Sequence, residues 1–210
     1  MSEWHKEILV PGQRSLLPAL KPFTKDFGLV GGTAVALHIG HRESIDFDLF
    51  TKEPDYDFKI PALKRRFKRQ AVIDTIIRDK ESELTFIAHG VQVTFYHFDY
   101  KIPYTERFDT YLTMPSLLTL AAMKAFALGQ RAKWKDYVDL YFIMRDFHPL
   151  NEIVQHTETL FGNEFNAKLF RTQLSYFDDV NYTQPVTYKP GFEVSDEEVK
   201  CKLEEYSLAP

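Results

Sequence analysis

The chain of 210 residues has a single cysteine, Cys201. That excludes an intrachain disulfide and a cysteine-based zinc cluster. No apolar run approaches the length of a membrane span, and the opening stretch MSEWHKEILVPG lacks the apolar core of a secretory signal. The expectation is a cytoplasmic protein with no membrane partner. An excess of positive charge is missing too, since 26 basic residues face 30 acidic ones for a net charge of −4. This argues against a protein that coats nucleic acid nonspecifically, so any polyanionic substrate must meet a local basic patch. Internal repeats and low-complexity segments are absent. What remains is 44% hydrophobic and 15% aromatic, with 18 phenylalanines, the composition of a folded protein with a large core.

Periodicity divides this core in two. Leu16, Leu17, Leu20, Phe23 and Phe27 form a helical pattern broken by Pro18 and Pro22, leading into a strand at 28–30. Small apolar residues from Thr33 to Ile39 predict a helix stopped by Gly40. A strand over 44–50 follows, then a helix near 57–70 with Ile60, Leu63 and Phe67 on its buried stripe. Strand-like runs at 71–78, 84–88 and 91–98 complete a mixed sheet. Beyond Pro103 the pattern turns helical. Thr113-Met114-Pro115 reads as a helix start, and further helices are expected at 133–147, 150–161 and 164–177. A last helix is opened by the capping box at Ser195 and Glu198. The expected organisation is an α/β core over 1–105 and a helical domain over 106–210.

Chemistry concentrates between Leu29 and Phe50, in LVGGTAVALHIGHRESIDFDLF. Ile45, Phe47 and Leu49 alternate with Asp46 and Asp48, so both carboxylates point to one strand face. Like charges side by side are destabilising. The usual compensation is a hard divalent cation, which takes oxygen ligands and leaves positions for phosphate oxygens. Gly31 and Gly32 let backbone approach a polyphosphate, and the helix start behind them offers free N–H groups. Thr33 could contact phosphate or cap the helix. Arg42 suits bidentate contact with a triphosphate, or a structural contact with Asp46 or Asp48. His38 and His41 with Asp46 could imitate a zinc site, although His38 in an apolar helix also reads as a packed core histidine.

These motifs resemble the polymerase-β-like nucleotidyltransferase superfamily, whose signature is a hydrophobic residue, two small residues, and then an Asp-x-Asp strand after a helix-length gap. Val30-Gly31-Gly32 and Asp46-Phe47-Asp48-Leu49 fit it. The wider string is similar to the AbiEii/AbiGii toxin family of abortive-infection and toxin–antitoxin systems, and the similarity covers most of residues 10–185. It implies an α/β nucleotidyltransferase core with a helical domain that closes the cleft. It also implies Asp46 and Asp48 as catalytic metal ligands for Mg²⁺ or Mn²⁺, with an NTP as substrate. Gly31, Gly32, Thr33 and Arg42 would bind the nucleotide phosphates.

The helical half adds charged residues in apolar surroundings. Lys124 is the lone charge in AAMKAFAL and Asp139 the lone charge in YVDLYF. A buried charge needs a partner, so the two could pair with each other. By resemblance, Lys124 instead meets nucleotide phosphate and belongs to the catalytic set. Arg131 and Asp136 then shape the site, with Asp139 in support.

A third carboxylate, common in the superfamily, is replaced by Thr94 on the 91–98 strand. Either Asp136 or Asp139 supplies that acid or two acids suffice, and Asp136, expected to be exposed at its helix start, is the better candidate. Basic runs at Lys64–Arg69 and Arg131–Lys135 read as solvated faces or as an RNA track on which Trp134 could stack. The function implied is transfer of an NMP from an NTP to an acceptor, with tRNA among the candidates. The protein would act as the toxin of a toxin–antitoxin or abortive-infection pair whose antitoxin is a separate protein. The competing reading is a catalytically weak or inactive nucleotide-binding protein of the same fold.

Overall fold

Alternating buried and half-exposed residues along two neighbouring strands set the plan of the first half of the molecule. The computed structural model describes residues 4–209. Two compact units divide between Ser116 and Leu117.

In the first unit, α1 (Pro11–Leu20) is followed by a 3-10 turn at Lys21–Phe23. Pro18 is accommodated inside the last turn of α1 rather than breaking it. Next come β1 (Phe27–Val30), α2 (Gly31–Ile39), β2 (Asp46–Thr51) and α3 (Ile60–Lys68). A meander follows of β3 (Thr75–Lys80), β4 (Glu83–Ala88) and β5 (Val91–Tyr96). The sheet order is β1-β2-β5-β4-β3. β2 and β5 are parallel, and the other pairs are antiparallel. The fold class is therefore α/β with a mixed sheet. Ile45 is 56% exposed and precedes the strand, so the buried side of β2 consists of Phe47, Leu49 and Thr51.

One face of this sheet is sealed. Phe27, Phe47, Leu49, Phe86, Val93 and Phe95 are fully buried on it. Phe23 packs 4.8 Å from Phe95 between ring centroids, and Phe67 of α3 packs 4.5 Å from Phe86. On the opposite face Asp46, Asp48 and Phe50 of β2, with Gln92, Thr94 and Tyr96 of β5, are all half-exposed. Alternation thus separates a core face from a working face.

A short ribbon of β6 (Glu106–Phe108) and β7 (Leu112–Met114) belongs to this unit, with β7 against β1. The helix start expected at Thr113-Met114-Pro115 is strand instead. A residue before proline is biased to extended backbone, and the helix begins only at Leu117. This ribbon moves the division from the expected 105 to 116.

The second unit contains α4 (Leu117–Leu128), α5 (Trp134–Asp146), α6 (Leu150–Phe161), α7 (Ala167–Leu174) and α8 (Asp196–Leu208). Every residue from Asp136 to Met144 is buried, so α5 is central, with α4 and α8 packed on it. α7 is shorter than the pattern 164–177 predicts because Asn166 caps it, accepting from the Leu169 amide at 3.0 Å. Ser195 caps α8 as expected, accepting from the Glu198 amide at 3.1 Å.

Candidate active site

Asp46 and Asp48 sit on β2 about 7 Å apart along the strand, the spacing of alternate residues. β1 delivers the glycine turn beside them, because Val30 lies opposite Asp48 and Gly31 follows at once. Gly31 has φ +70°, and a Cβ there would lie 2.5 Å from Asp48 Oδ2. Both facts demand glycine. Gly32 is constrained from the other side: a Cβ would lie 2.6 Å from an Arg42 guanidinium nitrogen.

Three buried polar side chains hold this arrangement. Thr33 is 2% exposed, and its hydroxyl donates to the Asp46 carbonyl at 2.5 Å and contacts Ser44 Oγ at 2.9 Å. Gln13 of α1, fully buried, donates to the same carbonyl at 3.2 Å and accepts from the Val10 amide at 3.1 Å. Arg42 is 2% exposed and donates to the Glu43 carbonyl at 2.9 Å. The Thr33 hydroxyl and one Arg42 guanidinium nitrogen thus bond the scaffold, and the turn offers an anion its backbone N–H groups. Val30, at the N-cap, has no side-chain acceptor to occupy those donors. Gln13 carries no sequence signal, since a glutamine in a short amphipathic helix reads as surface.

Thr94 lies beside Asp48 in register on β5, where the superfamily resemblance implies a third acid. Its hydroxyl oxygen accepts from Thr85 of β4 at 3.2 Å. Among the described residues no group of three or more His, Cys, Asp or Glu side chains is gathered as a metal site. Two half-exposed carboxylates still suit Mg²⁺ or Mn²⁺, which bind through one or two protein carboxylates with water and substrate phosphates completing the sphere. His38 is not part of such a set. Its Nε2 meets the Pro115 carbonyl at 3.1 Å, and its ring lies edge-on to Trp4. Burial lowers its pKa below the ordinary value of 6.5.

In the second unit Lys124 is 6% exposed and bracketed by two aspartates. Its Nζ lies 2.6 Å from Asp136 Oδ1 and 2.7 Å from Asp139 Oδ2. The Lys124–Asp139 pairing is thus present and extends to Asp136. Asp136 is 5% exposed, not the open carboxylate expected at a helix start, because the first turn of α5 is itself packed. Burial pushes its pKa up, but Lys124 and then Arg131 outweigh this and hold it below the usual carboxylate range. Arg131 keeps its guanidinium largely in solvent, 3.6 Å from Asp136 Oδ2.

Trp134 is 3% exposed, donates to Asp196 at 3.0 Å and stacks on Tyr137. It has no face left for a base. In α3, Lys64 pairs with Asp79 and Arg66 with Asp26, while Arg65, Lys68 and the C-cap residue Arg69 are exposed. No helix among the described residues is long and apolar enough to cross a membrane.

Comparison with known proteins identifies the fold and the family. A protein of Aquifex aeolicus (strain VF5) described as "Uncharacterized protein aq_aa25" is 31% identical over 186 residues, covering 86% of this chain and 88% of its own. The nucleotidyltransferase toxin MenT4 (Rv2826c) of Mycobacterium tuberculosis H37Rv superposes with a TM-score of 0.58 at 11% identity, covering 93% of this chain and 81% of its own. JHP933 from Helicobacter pylori gives 0.52 at 15% identity, covering 92% and 88%. These two likenesses establish the fold. Residues 15–182 match the family described as "Nucleotidyl transferase AbiEii toxin, Type IV TA system", and with Gly31-Gly32 seated against the Asp46–Asp48 strand the chain belongs to that family.

Proposed function

We propose that the protein transfers a nucleoside monophosphate from an NTP to an acceptor hydroxyl, releasing pyrophosphate. The observation that carries this reading is the contact of Gly31 with the Asp48 carboxylate on a half-exposed strand face. It supports reading the turn as an anion site beside a pair of hard oxygen donors. The first amides of α2 take the outer phosphates. Asp46 and Asp48 would hold Mg²⁺ or Mn²⁺, which would supply charge neutralisation for the triphosphate and make the acceptor hydroxyl easier to deprotonate. Gln13 and Thr33 fix the Asp46 backbone, so the carboxylates are oriented before substrate arrives.

Phosphate contact by Lys124 and Arg131, and proton acceptance by Asp136, belong to the proposal and rest on the family resemblance. So do tRNA as acceptor, a cytoplasmic setting and a separate antitoxin protein as cognate partner. One observation favours a second reading: Thr94 in place of an acid beside Asp48 supports a catalytically weak or inactive nucleotide-binding protein of this fold. Incubation with Mg²⁺, each labelled NTP and total RNA separates the two. Label incorporated into RNA supports transfer, whereas nucleotide binding with no incorporation supports the second reading.

A further inference from the structure

The working face of the sheet carries more than carboxylates. Phe50 lies two residues beyond Asp48 on the same face of β2, and Tyr96 lies beside it in register on β5. Their ring centroids are 5.0 Å apart. Phe98 packs 5.0 Å from Phe50, and its amide donates to Thr51 Oγ1 at 2.9 Å, which ties it to β2. On the other flank, the Tyr104 ring occupies the space a side chain at Gly28 would fill, and Gly28 pairs with Phe50. A row of aromatic rings therefore crosses β1, β2 and β5 one step along from Asp48 and Thr94. Rings on the opposite face, such as Phe27, Phe86 and Phe95, are fully buried, whereas Phe50, Tyr96 and Phe98 each keep part of their surface exposed.

Position gives this row its meaning. β1 runs antiparallel to β2, so the chain leaving Val30 opposite Asp48 carries the glycine turn toward the Asp46 end of β2. The aromatic row lies toward the Thr51 end. Asp48 stands between the two, while Asp46 lies level with the start of α2, where Thr33 bonds its carbonyl. In phosphoryl transfer the attacking and leaving oxygens are roughly in line on opposite sides of phosphorus. A triphosphate whose leaving end sits at the glycine turn is then attacked from the aromatic side.

We infer that Phe50 and Tyr96, extended by Phe98, form the stacking seat for an unpaired base at the hydroxyl-bearing end of an RNA acceptor. This inference rests on the transferase reading above. Aromatic faces stack on any base, so the seat positions a strand end without reading its sequence. The acceptor hydroxyl becomes part of an oriented pair instead of a diffusing one. During transfer the bond from the acceptor oxygen to the α-phosphorus forms as the bond to the pyrophosphate oxygen breaks. The acceptor proton passes to solvent or a nearby carboxylate.

The test uses the full chain with Phe50→Leu, Tyr96→Leu, their combination, and Tyr96→Phe. Leucine keeps apolar volume but removes the aromatic face, while phenylalanine keeps it. Binding of a fluorescently labelled single-stranded RNA octamer is read by anisotropy without NTP. Magnesium–NTP binding and melting temperature are measured in parallel. The double leucine variant is expected to bind the octamer at least about tenfold more weakly, with NTP binding unaltered and Tyr96→Phe equal to wild type. The inference is overturned if wild type does not bind the octamer or the double variant binds it normally. It is equally overturned if Tyr96→Phe is as weak as Tyr96→Leu, or if NTP binding falls while octamer binding holds, which would make the row a seat for the incoming nucleotide's base. Failure of the transferase reading is a separate result, seen as absent NMP incorporation by wild type with octamer binding intact.

Discussion

Each half of the molecule holds two aspartates close together, and their settings are opposite. Asp46 and Asp48 stand on a strand face that water reaches. Asp136 and Asp139 are sealed around the Lys124 ammonium, at 5% and 0% exposure. A carboxylate in water can exchange that water for a cation at little expense, whereas a buried one requires a permanent counter-charge. The first arrangement suits a ligand that comes and goes. The second is built into the fold of its unit, whatever else Lys124 does.

The largest effects should follow from breaking the first pair. Asp46→Asn and Asp48→Asn remove ligand charge while keeping shape. Each is expected to lower NMP transfer about a thousandfold or more, with far-ultraviolet circular dichroism and melting close to wild type. Wild-type turnover in either variant removes the metal-ligand assignment.

Breaking the second pair should act on stability. Lys124→Met keeps the length of the stem and leaves two buried carboxylates without the ammonium between them. A loss of about 3–5 kcal/mol is expected in denaturant unfolding. An unchanged unfolding midpoint contradicts a structural role for the triad, and the accompanying NTP affinity reports on the role carried over by resemblance.

Gly31→Ala sharpens the comparison by disturbing the open site from its backbone. The positive φ disfavours alanine by about 1–2 kcal/mol, and the methyl collides with Asp48 Oδ2. Transfer should fall about tenfold or more with a melting shift of only a few degrees. Equal losses in Gly31→Ala and in an exposed Gly191→Ala control, where φ is also positive and a Cβ meets nothing within 4 Å, would detach the turn from the reaction.

The smallest expected effects are those of pH. Asp136 has a lowered pKa in the folded protein, so its contribution is complete above the ordinary carboxylate range near 3.8 and disappears as pH falls through and below it. His38 is held neutral by burial, so its contribution is complete above 6.5 and declines as pH drops below that value. Melting should therefore decline modestly from pH 7 to 5 and more steeply below 4. Replacing His38 with Gln should flatten part of the first limb only, because burial also lowers the pKa of His156.

Much of the site is legible in the sequence because it depends on local rules. The period of two aligns Asp46 with Asp48, and the double glycine announces a turn whose need for glycine is visible in the φ of Gly31 and its contact with Asp48. What is not legible comes from contacts distant in sequence. Gln13 reaches Asp46 across 33 residues, and Arg42 is drawn under Gly32 rather than outward. Trp134 reads as a stacking residue beside lysines, yet Asp196 and Tyr137 absorb it. The β6–β7 ribbon is missed because three-residue strands leave no periodicity to detect. Asp136 is misplaced for a related reason, since a helix start is exposed only when nothing packs on it, and here the first turn is buried.

The most direct test sets the two acid pairs against each other in one experiment. Wild type, Asp46→Asn and Asp139→Asn are melted with and without saturating Mg²⁺ and NTP, and their Mg²⁺–NTP affinities are measured by calorimetry. The account predicts that Asp46→Asn melts like wild type without ligand but gains no stabilisation from Mg²⁺ and NTP. Asp139→Asn is predicted to melt well below wild type in every condition. Full ligand stabilisation of Asp46→Asn, or an Asp139→Asn variant as stable as wild type, would contradict it.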